Sequence, residues 1–213
     1  SAKEAWTSRY NHLTYALAFS ITEENEEDGL YGSIGQKYAK ALARSMQHTK
    51  EITGANVLNN AFDSDYVGGD GVELCSTAHT TRSGNQSNEL ATAADLSETS
   101  LEQILINIGG LKDERNIPIA ATGRKMIIPS ALQFTAERIL ASNLRTSTAE
   151  NDINAIKSSG MLAEGWTVNK RLTDTDAWFV MTDCPDGLKM FNRRAMKKGT
   201  EVDFETGNVR YKC

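Results

Sequence analysis

The sequence is poor in cysteine, proline and histidine, and it has no long hydrophobic run. Its 213 residues include 3 cysteines, 3 prolines and 3 histidines. Three cysteines without a C-x-x-C spacing predict neither a disulfide framework nor a zinc ribbon, and they fit reduced thiols in a cytosolic setting. The apolar stretches are far shorter than the roughly 20 residues that a membrane-spanning helix needs, which argues against a helical membrane protein.

Positive charge is also scarce. Lys and Arg total 23 against 28 Asp and Glu, which gives a formal net charge of -5, and most of the cations are scattered along the sequence. A protein dedicated to nucleic-acid binding is disfavoured, because phosphate backbones are bound by a basic stripe. The length allows one large domain or two small ones with a buried core.

The first part of the chain combines a strand pattern with a helix pattern. Apolar and small polar residues alternate from Leu13 to Thr22, which predicts a long strand. Five acids in six residues follow, from Glu23 to Asp28. From Gly29 to Phe62 apolar residues recur at helical spacing without proline, which predicts a helix of about 28 residues, roughly 42 Å long. We expect the acids to lie at its N-terminal end, where the helix dipole favours them.

The middle of the chain predicts a loop followed by two helices that flank a strand. Residues 63–95 show no sustained period and predict a long loop or flap. Ser97 is the expected N-cap of a second helix. Residues 124–129 read as a buried strand, and Ser130 with Gln133 predicts a capping box for a third helix.

The last part of the chain predicts short strands. Strands are expected at 166–168 and 177–181, with a turn at 183–187 that returns the chain as a hairpin strand at 188–191. A second hairpin is expected around the turn at 205–208. The predicted fold class is α+β.

Candidate catalytic and metal-binding motifs are few. Cys75 and His79 form a C-x3-H pair in the flap, but zinc sites need three or four converging ligands, so we predict no metal. The same pair is the only candidate for thiolate catalysis. The chain has no glycine-rich phosphate-binding motif, so no nucleotide cofactor is predicted either.

The order of these elements resembles the major capsid proteins of tailed bacteriophages, which have the Hong Kong 97 fold. The resemblance extends over most of the chain. It rests on the order of the elements and on the residues of short segments, and none of these segments is a catalytic motif. The resembling segments are 19–22, 28–32, 55–62, 71–79, 88–90, 95–97, 126–129, 136–140 and 171–179.

This resemblance implies a domain organisation. Residues 1–28 would end an extended loop that reaches over a neighbouring subunit, and 29–87 would form the spine helix and flap of the peripheral domain. Residues 88–213 would supply mainly the axial domain, with the final hairpin towards the peripheral domain. The N-terminal arm, the outgoing loop strand and the family's terminal segment are missing, and the chain starts at Ser1 without Met. We therefore expect a processed or truncated segment.

The resemblance also implies a function. The protein would be a non-catalytic homo-oligomer that forms pentamers and hexamers of an icosahedral shell around double-stranded DNA. Scaffolding and portal proteins would be partners, DNA would be touched only non-specifically, and no membrane or cofactor would take part. The expected location is the virion, and the host cytoplasm during assembly. An encapsulin-like compartment shell is an alternative, and an enzyme with a Cys75/His79 site is a weaker one.

Two charged clusters are candidate contacts between subunits. The acids that follow the first strand would face the only basic cluster of the sequence on a neighbouring copy. A solvated helix start and a solvated loop are the alternative interpretations of these two clusters. The residues are Glu23, Glu24, Glu26 and Glu27 on one side and Arg193, Arg194, Lys197 and Lys198 on the other.

Overall fold

Helices, short strands and long connections alternate along the chain, and the fold class is α+β as predicted. The computed structural model describes residues 6–29, 31–145, 152–185 and 187–213. The elements in chain order are β1 (Ala18–Ile21), α1 (Glu23–Glu27), α2 (Tyr31–Asn59), β2 (His79–Thr81), β3 (Gly84–Gln86), α3 (Glu98–Gly109), β4 (Gly123–Ile128), α4 (Gln133–Ala141), α5 (Ala155–Ser158), β5 (Trp166–Val168), β6 (Phe179–Thr182), β7 (Gly199–Val202) and β8 (Val209–Lys212).

The chain divides into two compact units. The first contains Ala55–Leu188 together with the described residues before Tyr10, and the second contains Tyr10–Gly54 and Lys189–Cys213. The division falls inside α2. Each unit has its own three-stranded sheet.

The sheet of the second unit is antiparallel, with the strand order β1-β8-β7. Ile21 lies opposite Val209, and both are buried. Phe19 stacks on Tyr211 with ring centroids 5.1 Å apart, and it also meets Tyr38 of α2 at 5.6 Å. These aromatic contacts join the sheet to the first half of α2.

The strand predicted from Leu13 to Thr22 is shorter than expected. Only Ala18–Ile21 form β1, and one further backbone pair joins Leu17 to Cys213, with both N···O distances at 2.9 Å. The residues before Leu17 have no partner strand among the described residues, and Leu13 is 73% exposed. The alternating pattern is present, but a strand also needs a neighbour to hydrogen-bond to.

The long helix is confirmed, whereas the position predicted for the acids is wrong. The helix α2 has 29 residues and no acidic residue in its first turn. The acids instead form the separate helix α1. Gly29 follows it with φ +68°, a left-handed conformation that ends a helix and suits glycine. Leu30 lies outside the described residues.

The first unit is built on a mixed sheet. Strand β4 is central: it pairs in parallel with β5 and in antiparallel orientation with β6. Met126 and Ile128 of β4 point into the core, where they are fully buried with Leu101 of α3 and Ile156 of α5. The burial of these four side chains against one another organises the unit.

Helix starts in this unit were predicted with mixed success. Ser97 caps α3 as expected, because its hydroxyl accepts a hydrogen bond from Ser100 N, and Ser100 Oγ accepts one from Ser97 N. The capping box of Ser130 and Gln133 is wrong. Ser130–Leu132 form a 3-10 turn after Pro129, and α4 begins at Gln133 without a side-chain cap.

Two predicted strand pairings also had different outcomes. The final hairpin is confirmed as β7 and β8. The hairpin of 177–181 with 188–191 is wrong: β6 pairs with β4, and residues 188–191 belong to no strand, because the central strand β4 offers β6 a partner. Asp186 of the predicted turn lies outside the described residues. The flap at 63–95 contains the short hairpin β2–β3, and the connection after α4 contains α5, neither of which was predicted.

Candidate assembly surfaces

The flap of the first unit holds the Cys75 and His79 pair. His79 Nδ1 lies 2.6 Å from Asp70 Oδ2, so the imidazole is paired with a carboxylate and not with the thiol. Burial by itself would raise the pKa of Asp70, but the hydrogen bond with His79 and backbone hydrogen bonds outweigh it and hold that pKa below its ordinary value. The contact therefore holds the flap together.

Cys75 is poorly suited to nucleophilic chemistry. Burial, and then the negative charges of Glu89 and Glu73, raise the pKa of the Cys75 thiol to about 11. A catalytic cysteine needs the opposite shift, because the thiolate is the nucleophile. Within the described residues no three His, Cys, Asp or Glu side chains converge as metal ligands.

The acidic candidates lie on α1. Glu23, Glu24 and Glu27 are exposed, while the side chain of Glu26 lies outside what the structure describes. The helix sits beside the β7–β8 turn, since a Cβ atom added to Gly207 would overlap the carboxylate of Glu23. The acidic surface is thus fixed to the sheet of the second unit.

The basic candidates lie in the same unit, in a stretch that we call the basic segment, residues 189–198. It forms no helix or strand. Its cations Arg193, Arg194, Lys197 and Lys198 are all exposed. Among the described residues, none of these cations forms an ion pair with the acids of α1 within the chain, so the predicted pairing has no intramolecular counterpart.

The first unit also has an apolar groove with a volume of about 1060 Å³. Phe62 and Phe179 stack in its wall with ring centroids 5.8 Å apart. Sequence analysis did not predict this groove, because its walls come from distant parts of the chain. The one local hint in the sequence is the pair of acids in Asp174-Thr175-Asp176, both of which line the groove. No helix in the described part of the chain is long and apolar enough to cross a bilayer.

A comparison with known protein families decides the class of the protein. The family model for phage capsid proteins matches residues 4–213. The chain belongs to the phage capsid protein family. No curated protein and no solved structure matches the chain.

Membership in this family makes the protein a structural component of a bacteriophage capsid. A capsid is a shell of many subunits, so the chain acts through contacts between copies and is located in the virion. The match does not favour a cellular compartment shell or an enzyme.

Proposed function

We propose that the protein is the major capsid protein of a tailed bacteriophage, with the Hong Kong 97 fold, and that it assembles into an icosahedral shell enclosing double-stranded DNA. The observation that carries the proposal is the family match over residues 4–213. The order of elements in the sequence adds the fold name, and the 29-residue helix α2 has the length of a spine helix.

The domain roles follow from the same resemblance. Residues 1–28 end the extended loop, 29–87 form the spine helix and flap of the peripheral domain, and 88–213 form mainly the axial domain. Exposed apolar side chains are available for contacts with other copies. Leu13, Met190, Val202 and Phe204 are 58% or more exposed, as is Leu188.

The partners are other copies in pentamers and hexamers, with scaffolding and portal proteins during assembly in the host cytoplasm. DNA is enclosed with only non-specific contact, in keeping with the formal net charge of -5. The protein has no catalytic role, and the raised pKa of Cys75 supports this part of the proposal.

Imaging of assembled particles tests the proposal. The complete gene is expressed with the genes beside it, and the products are examined by cryo electron microscopy. We expect closed icosahedral shells with five-fold and six-fold clusters of this protein. A strictly monomeric protein under assembly conditions would overturn the proposal, and shells that hold protein cargo without nucleic acid would favour the compartment alternative.

The proposal includes the two charged surfaces as contacts between subunits. Within the part of the chain that the structure describes, no ion pair joins these two clusters. Opposite charge makes Glu23, Glu24, Glu26 and Glu27 the first acceptor to test for Arg193, Arg194, Lys197 and Lys198 of a neighbour.

Charge reversal tests these surfaces. Replacing Glu23, Glu24 and Glu27 by Lys is expected to reduce the yield of shells at least tenfold. The matched control reverses Glu114, Glu137 and Glu164, which are exposed acids outside α1. Equal yields from both triple variants and the unmodified chain would remove α1 from the assembly contacts.

A further inference from the structure

The groove of the first unit combines apolar walls with acidic residues. Ile108 of α3, Ile127 of β4 and Phe179 of β6 contribute to its walls, and Phe62 extends the wall from beyond α2. At about 1060 Å³ it is at the upper end of the range of small-molecule sites, which makes it large enough for a peptide segment.

The charge of this groove has one sign. Four carboxylates line it, those of Glu89, Asp95, Asp174 and Asp176, and no Lys, Arg or His is present among its described lining residues. A ligand that suits such a surface carries apolar groups and positive charge together.

The carboxylates of the groove lie close enough to act on one another. The hydrogen bond with Asp174 and the negative charges of Asp174 and Asp95 raise the pKa of Asp176. Glu89 adds to burial in raising the pKa of Cys75, another lining residue, to about 11. A bound cation would relieve this repulsion.

The basic segment, residues 189–198, has the matching chemistry. It carries exposed apolar side chains and cations within ten residues: Met190 is 68% and Met196 is 55% exposed, and Arg193 and Arg194 lie between them. We infer that the basic segment of one copy binds in the acidic groove of a second copy, with its methionines against the apolar walls and its arginines at the carboxylates.

This inference rests on the proposed function and gives the basic segment a different acceptor from α1. The sequence of α1 is Glu-Glu-Asn-Glu-Glu, which contains no apolar residue. Pairing with α1 would leave Met190 and Met196 in water, whereas the groove can bury them, and buried apolar area is what stabilises an interface. The groove thus replaces α1 as the proposed acceptor of Arg193 and Arg194.

A peptide titration tests the inference directly. A synthetic peptide of residues 189–198 is added to the full chain carrying Trp6→Phe and Trp166→Phe, so that Trp178, which lines the groove, is the only emitting tryptophan. We expect a saturable change in its fluorescence. A scrambled peptide of the same composition is expected to bind at least tenfold more weakly.

Charge variants locate the binding site. Asp95→Lys with Asp176→Lys is expected to weaken peptide binding at least tenfold. A peptide carrying Arg193→Glu and Arg194→Glu is expected to regain affinity for this variant. Reversal of Glu114 and Glu137, which lie outside the groove, is the matched control and should leave affinity within about twofold. Added to the chain with an unmodified groove, the same Arg193→Glu/Arg194→Glu peptide is expected to bind at least tenfold more weakly than the natural peptide. This comparison changes nothing in the groove, so misfolding of the double variant cannot hide the result.

The outcomes separate this inference from the proposed function. Absence of binding, equal binding of the scrambled peptide, or equal loss in the control variant would overturn the groove assignment even if closed shells are seen. Binding that follows the charge swap, in a protein that never forms shells, would instead remove the capsid architecture proposed above. In the full chain, self-association that rises with concentration and is inhibited by the peptide supports docking between copies. Protection of the basic segment from protease that does not depend on protein concentration would overturn the inference, because the segment would then dock within one chain.

Discussion

His79 Nδ1 lies 2.6 Å from Asp70 Oδ2, and this pair ties strand β2 to the glycine-rich bend that precedes it. The bend is closed by a hydrogen bond from Gly68 N to Val72 O at 2.7 Å, and Gly71 adopts φ +83°. The flap is thus ordered by local polar contacts, since it has few buried apolar side chains.

Replacing Asp70 by Asn is expected to lower the free energy of unfolding near neutral pH. The folded-state pKa of Asp70 lies below its ordinary value of 3.8, so the carboxylate stabilises the fold above about pH 4 and loses this effect as pH falls through the lower folded pKa. Denaturant unfolding of both proteins between pH 7 and pH 2 should show the difference shrinking below about pH 4. The control is Asp65→Asn, which replaces an exposed carboxylate of the same flap. The prediction would be contradicted if the difference between Asp70→Asn and the unmodified chain did not change with pH.

Replacing Asn59 by Ala is expected to destabilise the first unit by about 1–3 kcal/mol. Asn59 at the end of α2 donates from Nδ2 to Arg171 O at 3.2 Å and accepts at Oδ1 from Thr173 N at 3.0 Å, so its amide bridges two backbone groups of the loop after β5. Thermal and urea unfolding measure the loss. Asn60→Ala is the neighbouring control, and an equal effect of the two substitutions would argue against the bridge.

Gly123→Ala is expected to destabilise the protein by about 1–3 kcal/mol, because it overpacks the core. A Cβ atom at this position would lie 2.7 Å from Leu105 Cδ2 and 3.1 Å from Val180 Cγ1. Gly109→Ala in α3 meets no atom within 4 Å and should leave stability unchanged or raise it by up to about 1 kcal/mol. Urea midpoints of the two variants distinguish these effects, and similar shifts would show that the space around Gly123 is larger than described.

The Cys75 thiol is expected to react slowly. With a pKa of about 11 in place of 9.0, its thiolate fraction at pH 8 falls by about 100-fold, so alkylation by iodoacetamide should be slower by a similar factor. Mass spectrometry of peptides after timed alkylation gives the rate. An alkylation rate equal to that of a free cysteine would contradict the prediction and make Cys75 a candidate reactive group again. In a separate assembly measurement, Cys75→Ser is expected to leave the yield of shells unchanged.

Sequence reasoning succeeded where local chemistry determines the structure. The long uninterrupted helical pattern gave α2 almost to its ends, and the side chain of Ser97 identified the start of α3. The strands β4 and β5 were predicted from short apolar runs, which are typical of strands buried in a sheet. In each case the deciding residues are neighbours in sequence.

The failures have the opposite character. The hydrophobic alternation before Ala18 could not show which of its residues pair with β8. The acids could not show that Gly29 would adopt φ +68° and end their helix. The pairing of β6 with β4 depends on sheet order and not on the turn that follows β6. The groove was not predicted either, because its carboxylates come from separate parts of the chain and are brought together only by folding.

Among the described residues, strand β1 pairs with no strand except β8, which follows it in the sequence by about 190 residues. During translation, at about 5–20 residues per second, the first strand must wait about 10–40 s before the residues that pair with it have been synthesised. Ala18–Ile21 and the exposed apolar residues before them are unpaired for that whole time. A growing chain therefore exposes an unpaired apolar segment while it is still being made, which gives chaperones a defined interval and a defined segment to protect.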